Sequence, residues 1–188
     1  MIFCLLIQGS NLQAGNPQSP DLPLREGDVV VRYTDSVLSR MSVRFSENDR
    51  RFSHVGILWQ HASGTWEVTH ALPRAEGEPE VFSESLESFL EPAIRYGYFR
   101  WKTTLEDSRD LAHATERIAA EESLPFDRTF TLEREGAVYC TELIWRMALM
   151  VWEKDIVPEK SLFNGRPLIS MEDLLHSPYL EEIFAKLQ

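Results

Sequence analysis

Tyr139-Cys140-Thr141-Glu142-Leu143-Ile144 sets a cysteine near the start of a long helix, rich in apolar residues, that the sequence predicts over Val138 to Trp152. The place matters physically. The partial positive charge at a helix N-terminus stabilises a thiolate and lowers the cysteine pKa. Backbone N–H groups there point outward and can hold a developing oxyanion, that of Cys140 itself included. A buried structural cysteine is the competing reading, since burial is a common fate for this residue type.

Upstream, Ser53-His54-Val55-Gly56-Ile57-Leu58 opens an otherwise apolar strand on a histidine. A cysteine hydrolase needs an imidazole to accept the thiol proton and return it to the leaving group, and His54 has the flanks for that part. Val68-Thr69-His70-Ala71 lies on the next expected strand. Pairing of His54–Trp59 with Trp66–Leu72 about the turn Ala62-Ser63-Gly64-Thr65 returns His70 close to His54. A third polar group bonded to the base fixes its tautomer, and His70 is placed for it. Glu67, three residues earlier, faces the other side of the strand and is the weaker candidate. His61, His113 and His176 read as surface or structural residues.

The rest of the chain fills in around these strands. Asn16 to Pro23 carries three prolines and reads as an exposed linker, so the folded domain is expected over 24–188. Val29-Val30-Val31 reads as a buried strand and Ser36 as the cap of a helix through Val37, Met41 and Phe45. A short strand is expected at Glu80–Phe82, a helical turn or two at Ser85–Leu90, and a strand at Ile94–Trp101. A helix is expected over Asp107–Ser123, and two short helices broken at Pro178 over Ser170–Leu187. Helices flanking adjacent strands make the class α+β.

Composition excludes several functions. A formal net charge of -11 repels phosphate backbones, so no nucleic-acid partner is expected. The stretches Arg40 to Arg51 and Arg95 to Lys102 mix bases with acids and read as solvated faces. Two cysteines, Cys4 and Cys140, are too few for a zinc cluster, and no helical His-Glu-x-x-His spacing supports a zinc site built from His54, His70 and an acid. No metal or other cofactor is expected. Gly-x-Ser-x-Gly, a phosphate-cradling loop and a dinucleotide fingerprint are absent. No apolar stretch reaches the roughly 18–20 residues of an integral membrane span. Met1 to Ala14 has the short apolar run of a signal segment, without a preceding Lys or Arg. If it is one, the location is periplasmic or secreted, and otherwise cytoplasmic.

The order of motifs adds a resemblance. Gly27-Asp28-Val29-Val30, the His54 strand, Val68-Thr69-His70-Ala71, Pro125-Phe126-Asp127-Arg128-Thr129-Phe130 and the Cys140 segment follow one another. From about Leu24 to Trp152 this resembles the permuted NlpC-like papain-fold proteins of the YiiX/YebB type, an order shared by lecithin retinol acyltransferase-like proteins. The resemblance implies an antiparallel sheet packed against helices, with the Cys helix C-terminal to the strands. It implies Cys140 as nucleophile, His54 as general base and His70 as the third polar residue, a place that Glu takes in some YiiX-type proteins. Gly27 and Asp28 match the opening turn, and Asp127 is expected to cap or pin the loop before the Cys helix. Tyr139 and Glu142 match motif positions without an assigned role. The expected activity is hydrolysis of an amide, such as a cell-wall peptide, through an acyl-thioester. The alternatives are acyl-lipid hydrolysis or acyl transfer, and a non-catalytic envelope binding module.

Overall fold

A strand apolar at every position belongs inside a sheet covered on both faces. Val29-Val30-Val31 does this in the computed structural model, which describes residues 22–121 and 124–187. Val29 and Val31 face one core and Val30 the other, all three fully buried. In chain order the elements are β1 (Val29–Tyr33), α1 (Val37–Ser42) running into a 3-10 turn (Val43–Phe45), β2 (His54–Gln60) and β3 (Trp66–Ala71). β4 (Val81–Ser85), α2 (Leu86–Leu90), β5 (Arg95–Trp101), α3 (Leu105–Glu121) and α4 (Cys140–Trp152) follow. The chain continues through β6 (Ser161–Phe163), β7 (Arg166–Leu168), α5 (Met171–Leu175) and β8 (Leu180–Lys186).

Six strands form one antiparallel sheet in the order β4-β3-β2-β1-β5-β8. Against one face pack α3 and α4, burying Leu111, Leu143, Ile144 and Met147 with Val29, Val31, Val55 and Ile57. On the other face α2 brings Phe89 and Leu90 to Val30, Leu58, Val68 and Tyr98. The fold is α+β, with the cysteine helix α4 after the strands β1–β5.

The opening turn is locked into this frame. Gly27 adopts a left-handed φ of 85°, and a Cβ on it would stand 2.2 Å from the carbonyl oxygen of Ser108. Asp28 is buried and takes two hydrogen bonds from Arg100 on β5, at 2.8 and 2.7 Å. Ser36 caps α1, its Oγ accepting from the Ser39 N–H at 3.1 Å.

The C-terminal region departs from the sequence reading. Ser170–Leu187 forms one short helix, α5, and then the strand β8 rather than two helices. β8 completes the free edge of β5, pairing Leu180 with Trp101 and Lys186 with Tyr96. Those ladder bonds, with Phe184 packed on Tyr96 and Tyr98, outweigh the local helix preference of Glu181 and Glu182. The Cys helix is therefore not the end of the sheet's construction. The β6–β7 hairpin was also unanticipated. It turns on Asn164 and Gly165, both at positive φ (53° and 78°), as a two-residue hairpin requires. Among the described residues no helix is long and apolar enough to cross a membrane. Met1 to Ala14 and Cys4 lie outside the described residues.

Candidate active site

The β2–β3 register brings the two histidines together. Gly56 stands opposite His70, and Trp59 opposite Glu67. His54, Gly56 and His70 share one face of the sheet by the period of two. Gly56 leaves no room for a side chain, since a Cβ there would lie 2.4 Å from Val68 Cγ1 and 2.9 Å from the Thr69 oxygen. His54 leans across this position, and its Nε2 reaches His70 Nδ1 at 2.8 Å with the rings edge to face. Glu67 takes no part.

Two further residues join that the sequence reading did not single out. On β4, Phe82 stands opposite His70 and Glu84 opposite Val68. Glu84 Oε1 approaches His70 Nε2 to 3.0 Å, off the line of the ring N–H, so the contact is close but poorly directed. Arg32 is the cross-strand partner of His54. Its Nη1 donates to the Phe89 carbonyl and lies 3.9 Å from Glu84 Oε1, and its guanidinium sits 4.2 Å above the Phe89 ring. His54 and His70 also pack on Phe89. Both additions were within reach of the sequence. Glu84 follows Phe82 at the strand period, and Arg32 is a cation ending an apolar strand.

The charges order the protons. Glu84 is held below the usual carboxylate range, because His70, Arg32 and Arg74 outweigh burial. Burial pushes His54 well below an ordinary histidine, and the neighbouring His70 and Arg32 push the same way. His70 also falls through burial, although Glu84 opposes the shift. Both rings are thus neutral near pH 7. With Glu84 ionised, the favoured arrangement puts the His70 proton on Nε2. His70 Nδ1 then accepts from His54 Nε2–H, and His54 Nδ1 carries the free lone pair.

Cys140 is the first residue of α4 and is held from several sides. Tyr139 Oη accepts from the Ile169 N–H at 2.7 Å, and Thr141 Oγ1 donates to the Ile169 carbonyl at 2.6 Å. Glu142 accepts from the Tyr139 N–H at 3.3 Å and binds Arg146 at 2.7 Å. The buried Asp127 accepts from Thr129 N–H and Oγ1 at 2.9 and 2.7 Å, while its own N–H bonds the Val138 carbonyl, so it pins the loop before α4.

Backbone N–H groups of Thr141, Val55 and Cys140 itself point at Sγ and favour the thiolate, as does the charge of Arg32. Burial outweighs them and pushes the thiol up to about 11. The depressed pKa expected from the helix start is therefore not realised, because Cys140 is only 6% exposed. Sγ meets the backbone of Val55, the neighbour of His54, and no hydrogen bond joins it to the His54 ring among the described residues. Alternation along β2 explains this. Val55 faces the α4 side, whereas the His54 ring stacks on Phe89 across the sheet.

The space around these groups is divided. Beside Cys140, between Ser42, Phe45, Tyr139 and Met171, lies a gap of only about 10 Å³, room for one water. Beside His54 a cleft of about 420 Å³ is walled by Arg32, Thr34, Ser39, Leu38, Leu72 and Pro92. Helix α1 contributes to both walls. A larger cleft of about 560 Å³ is lined by Glu47, Glu172, Asp173 and His176 and includes neither Cys140 nor His54. Among the described residues no three His, Cys, Asp or Glu side chains converge as ligands for a metal ion.

No protein-family model matches the chain, and no curated protein matches it by sequence. Among solved structures, metalloprotein yiiX from Escherichia coli O157:H7 is similar with a TM-score of 0.70 and 17% identity, over 87% of this chain and 98% of that one. At that identity the likeness is one of fold: over most of its length the chain has the yiiX-like arrangement of an antiparallel sheet followed by a helix that here begins on Cys140.

Proposed function

We propose that the chain is a cysteine hydrolase in which Cys140 is the nucleophile, His54 its general base and His70 the residue that orients His54. The observation that carries this is the buried 2.8 Å contact between His54 Nε2 and His70 Nδ1, which leaves His54 Nδ1 as the available base. Because thiol and imidazole both rest neutral, the thiol loses its proton as it attacks, and not before. His54 is the first residue of β2, so for the two to meet its ring must turn about the start of that strand toward Sγ as substrate enters. His54 Nδ1 takes the proton, Sγ bonds the carbonyl carbon, and the Cys140 N–H holds the oxyanion. The amide then breaks, its nitrogen taking the proton from His54, and water cleaves the resulting thioester. Cell-wall peptides and similar amides are the favoured substrates. Acyl lipids are a second reading, supported by the apolar walls Leu38, Leu72 and Pro92 beside His54.

The yiiX structure is that of a metalloprotein. Here His54 Nε2 and His70 Nδ1 are spent on each other. Two Zn–N bonds of about 2.0–2.1 Å would hold them roughly 3.4 Å apart, wider than the 2.8 Å found. With Glu84 on the far side of His70, the donors run in a line and do not converge, so no step is routed through a metal.

The test is intact-mass spectrometry of the protein quenched during incubation with cell-wall peptides and, separately, with phospholipid vesicles. An acyl adduct mapped to Cys140 and absent in Cys140→Ala supports the proposal, and its mass separates peptide from lipid. Turnover unchanged in Cys140→Ala would overturn it.

A further inference from the structure

We infer that the cleft beside His54 binds a carboxylate group through Arg32, so that the preferred substrates carry a free carboxylate close to the bond that is cleaved. The second half of this rests on the cysteine-hydrolase reading; the first rests on the geometry of the cleft alone.

Arg32 is an unusual cation to find in this place. Its side chain is only 7% exposed, yet it forms part of the cleft wall. Nη1 is engaged by the Phe89 carbonyl, with Glu84 Oε1 at 3.9 Å. Nε is buried without any acceptor, and Nη2 has no protein hydrogen bond among the described residues. A buried charged donor left unmatched costs free energy, which an incoming acceptor would recover. The Nε–Nη2 edge, which no protein acceptor occupies among the described residues, has the fork geometry that pairs with the two oxygens of a carboxylate.

Charge supports the same occupant. The chain carries a formal net charge of -11, but no Asp or Glu lines this cleft. The larger cleft is the reverse, lined by Glu47, Glu159, Glu172 and Asp173. A phosphate group fits less well, because it presents three oxygens and up to two charges to one guanidinium edge. The cleft's hydroxyls are already engaged: Thr34 with Ser39 at 2.7 Å, and Ser53 with Ser39 at 2.9 Å. Leu38, Leu72 and Pro92 leave an apolar wall for the rest of the ligand. Since Arg32 is directly across the ladder from His54, a carboxylate held there sets its neighbouring acyl group beside the base.

The test uses Cys140→Ala, so binding is read whether or not Cys140 is a nucleophile. The probes are N-hexanoylglycine, its neutral primary amide and hexyl phosphate, followed by thermal melting and by the ¹⁵N–¹H resonance of the Arg32 Nε–H. N-Hexanoylglycine is expected to raise the melting temperature and shift that resonance, and the amide to do neither. Adding Arg32→Gln is expected to weaken N-hexanoylglycine binding tenfold or more. Equal responses to acid and amide, or an unchanged Kd in Arg32→Gln, would overturn the inference. Tighter binding of hexyl phosphate would also overturn it, assigning the cleft to phosphate esters. Should Arg32→Gln fail to melt cooperatively, the Nε–H resonance in Cys140→Ala decides alone.

Discussion

A buried thiol that rests neutral titrates differently from the thiolate of a preformed ion pair. With the thiol pushed up to about 11, alkylation of Cys140 by iodoacetamide in the free protein should keep climbing through pH 10. A plateau reached by pH 7 would mean a resting thiolate. The proposed mechanism needs His54 unprotonated, and burial holds its pKa well below 6.5. The active form is therefore complete above that value and lost as pH falls through the lowered pKa. kcat/KM should stay flat from pH 6.5 to 8 and drop only in more acidic solution; an acid limb centred at or above 6.5 would contradict the burial of the ring. Glu84 acts through His70, holding the proton on Nε2. Glu84→Gln removes that bias and should lower kcat on the order of 10²-fold while leaving KM within a factor of a few. Glu84→Asp should recover part of the loss, as a merely structural role would not require.

Among the elements, the β2–β3 pair sets the histidine contact, and Gly56 leaves no room there for a side chain. Gly56→Ala should push β3 away and destabilise by about 1–3 kcal/mol, the usual cost of overpacking, as read by urea unfolding. Activity should fall further than the unfolded fraction explains, since the same shift parts His54 from His70. The 3-10 turn after α1 covers Cys140, with Phe45 packed on Phe130 and Phe163 at 5.1 and 5.0 Å between ring centres. This pairing of strands and the helix that begins on Cys140 were legible because their signals are local: apolar periodicity, a Gly-containing turn, and a histidine on each of the two strands. β8 was not legible, because a strand at a sheet edge is decided by the bare edge of β5 and not by its own residues. Glu84 was missed for a related reason. The local pattern ends its strand at Phe82, one period short of the carboxylate. The elevated thiol pKa was beyond a sequence reading, since it depends on how completely α1 and the 3-10 turn enclose Cys140.

At the scale of the molecule, three buried groups with opposed shifts set how stability follows pH. His54 and His70 refuse protons when folded and accept them near 6.5 when unfolded. Their contribution is complete above 6.5 and is lost as pH falls through that value, because the unfolded chain then binds more protons. Glu142 acts the other way. Burial raises its pKa to about 7 against Arg146, so its contribution is present below about 4.5 and is lost as pH rises through 7. The lowered carboxylates Glu84, Glu80, Asp49 and Glu172 act in a more acidic window, below 4.5. Between pH 5 and 6.5 the unfolded chain therefore gains up to two histidine protons while the folded chain keeps about one on Glu142. Wild-type stability should rise gently with pH across this window. In Glu142→Gln the opposing proton is gone, and the slope should steepen by on the order of 1.4 kcal/mol per pH unit, one proton's worth. Any change in the variant's stability that is common to every pH does not bear on the titration; only the slope does. Urea unfolding of both proteins at pH 5.0, 5.5, 6.0 and 6.5 measures it. Parallel slopes would mean that Glu142 is ionised in the folded protein, and that Arg146 and the start of α4 outweigh its burial.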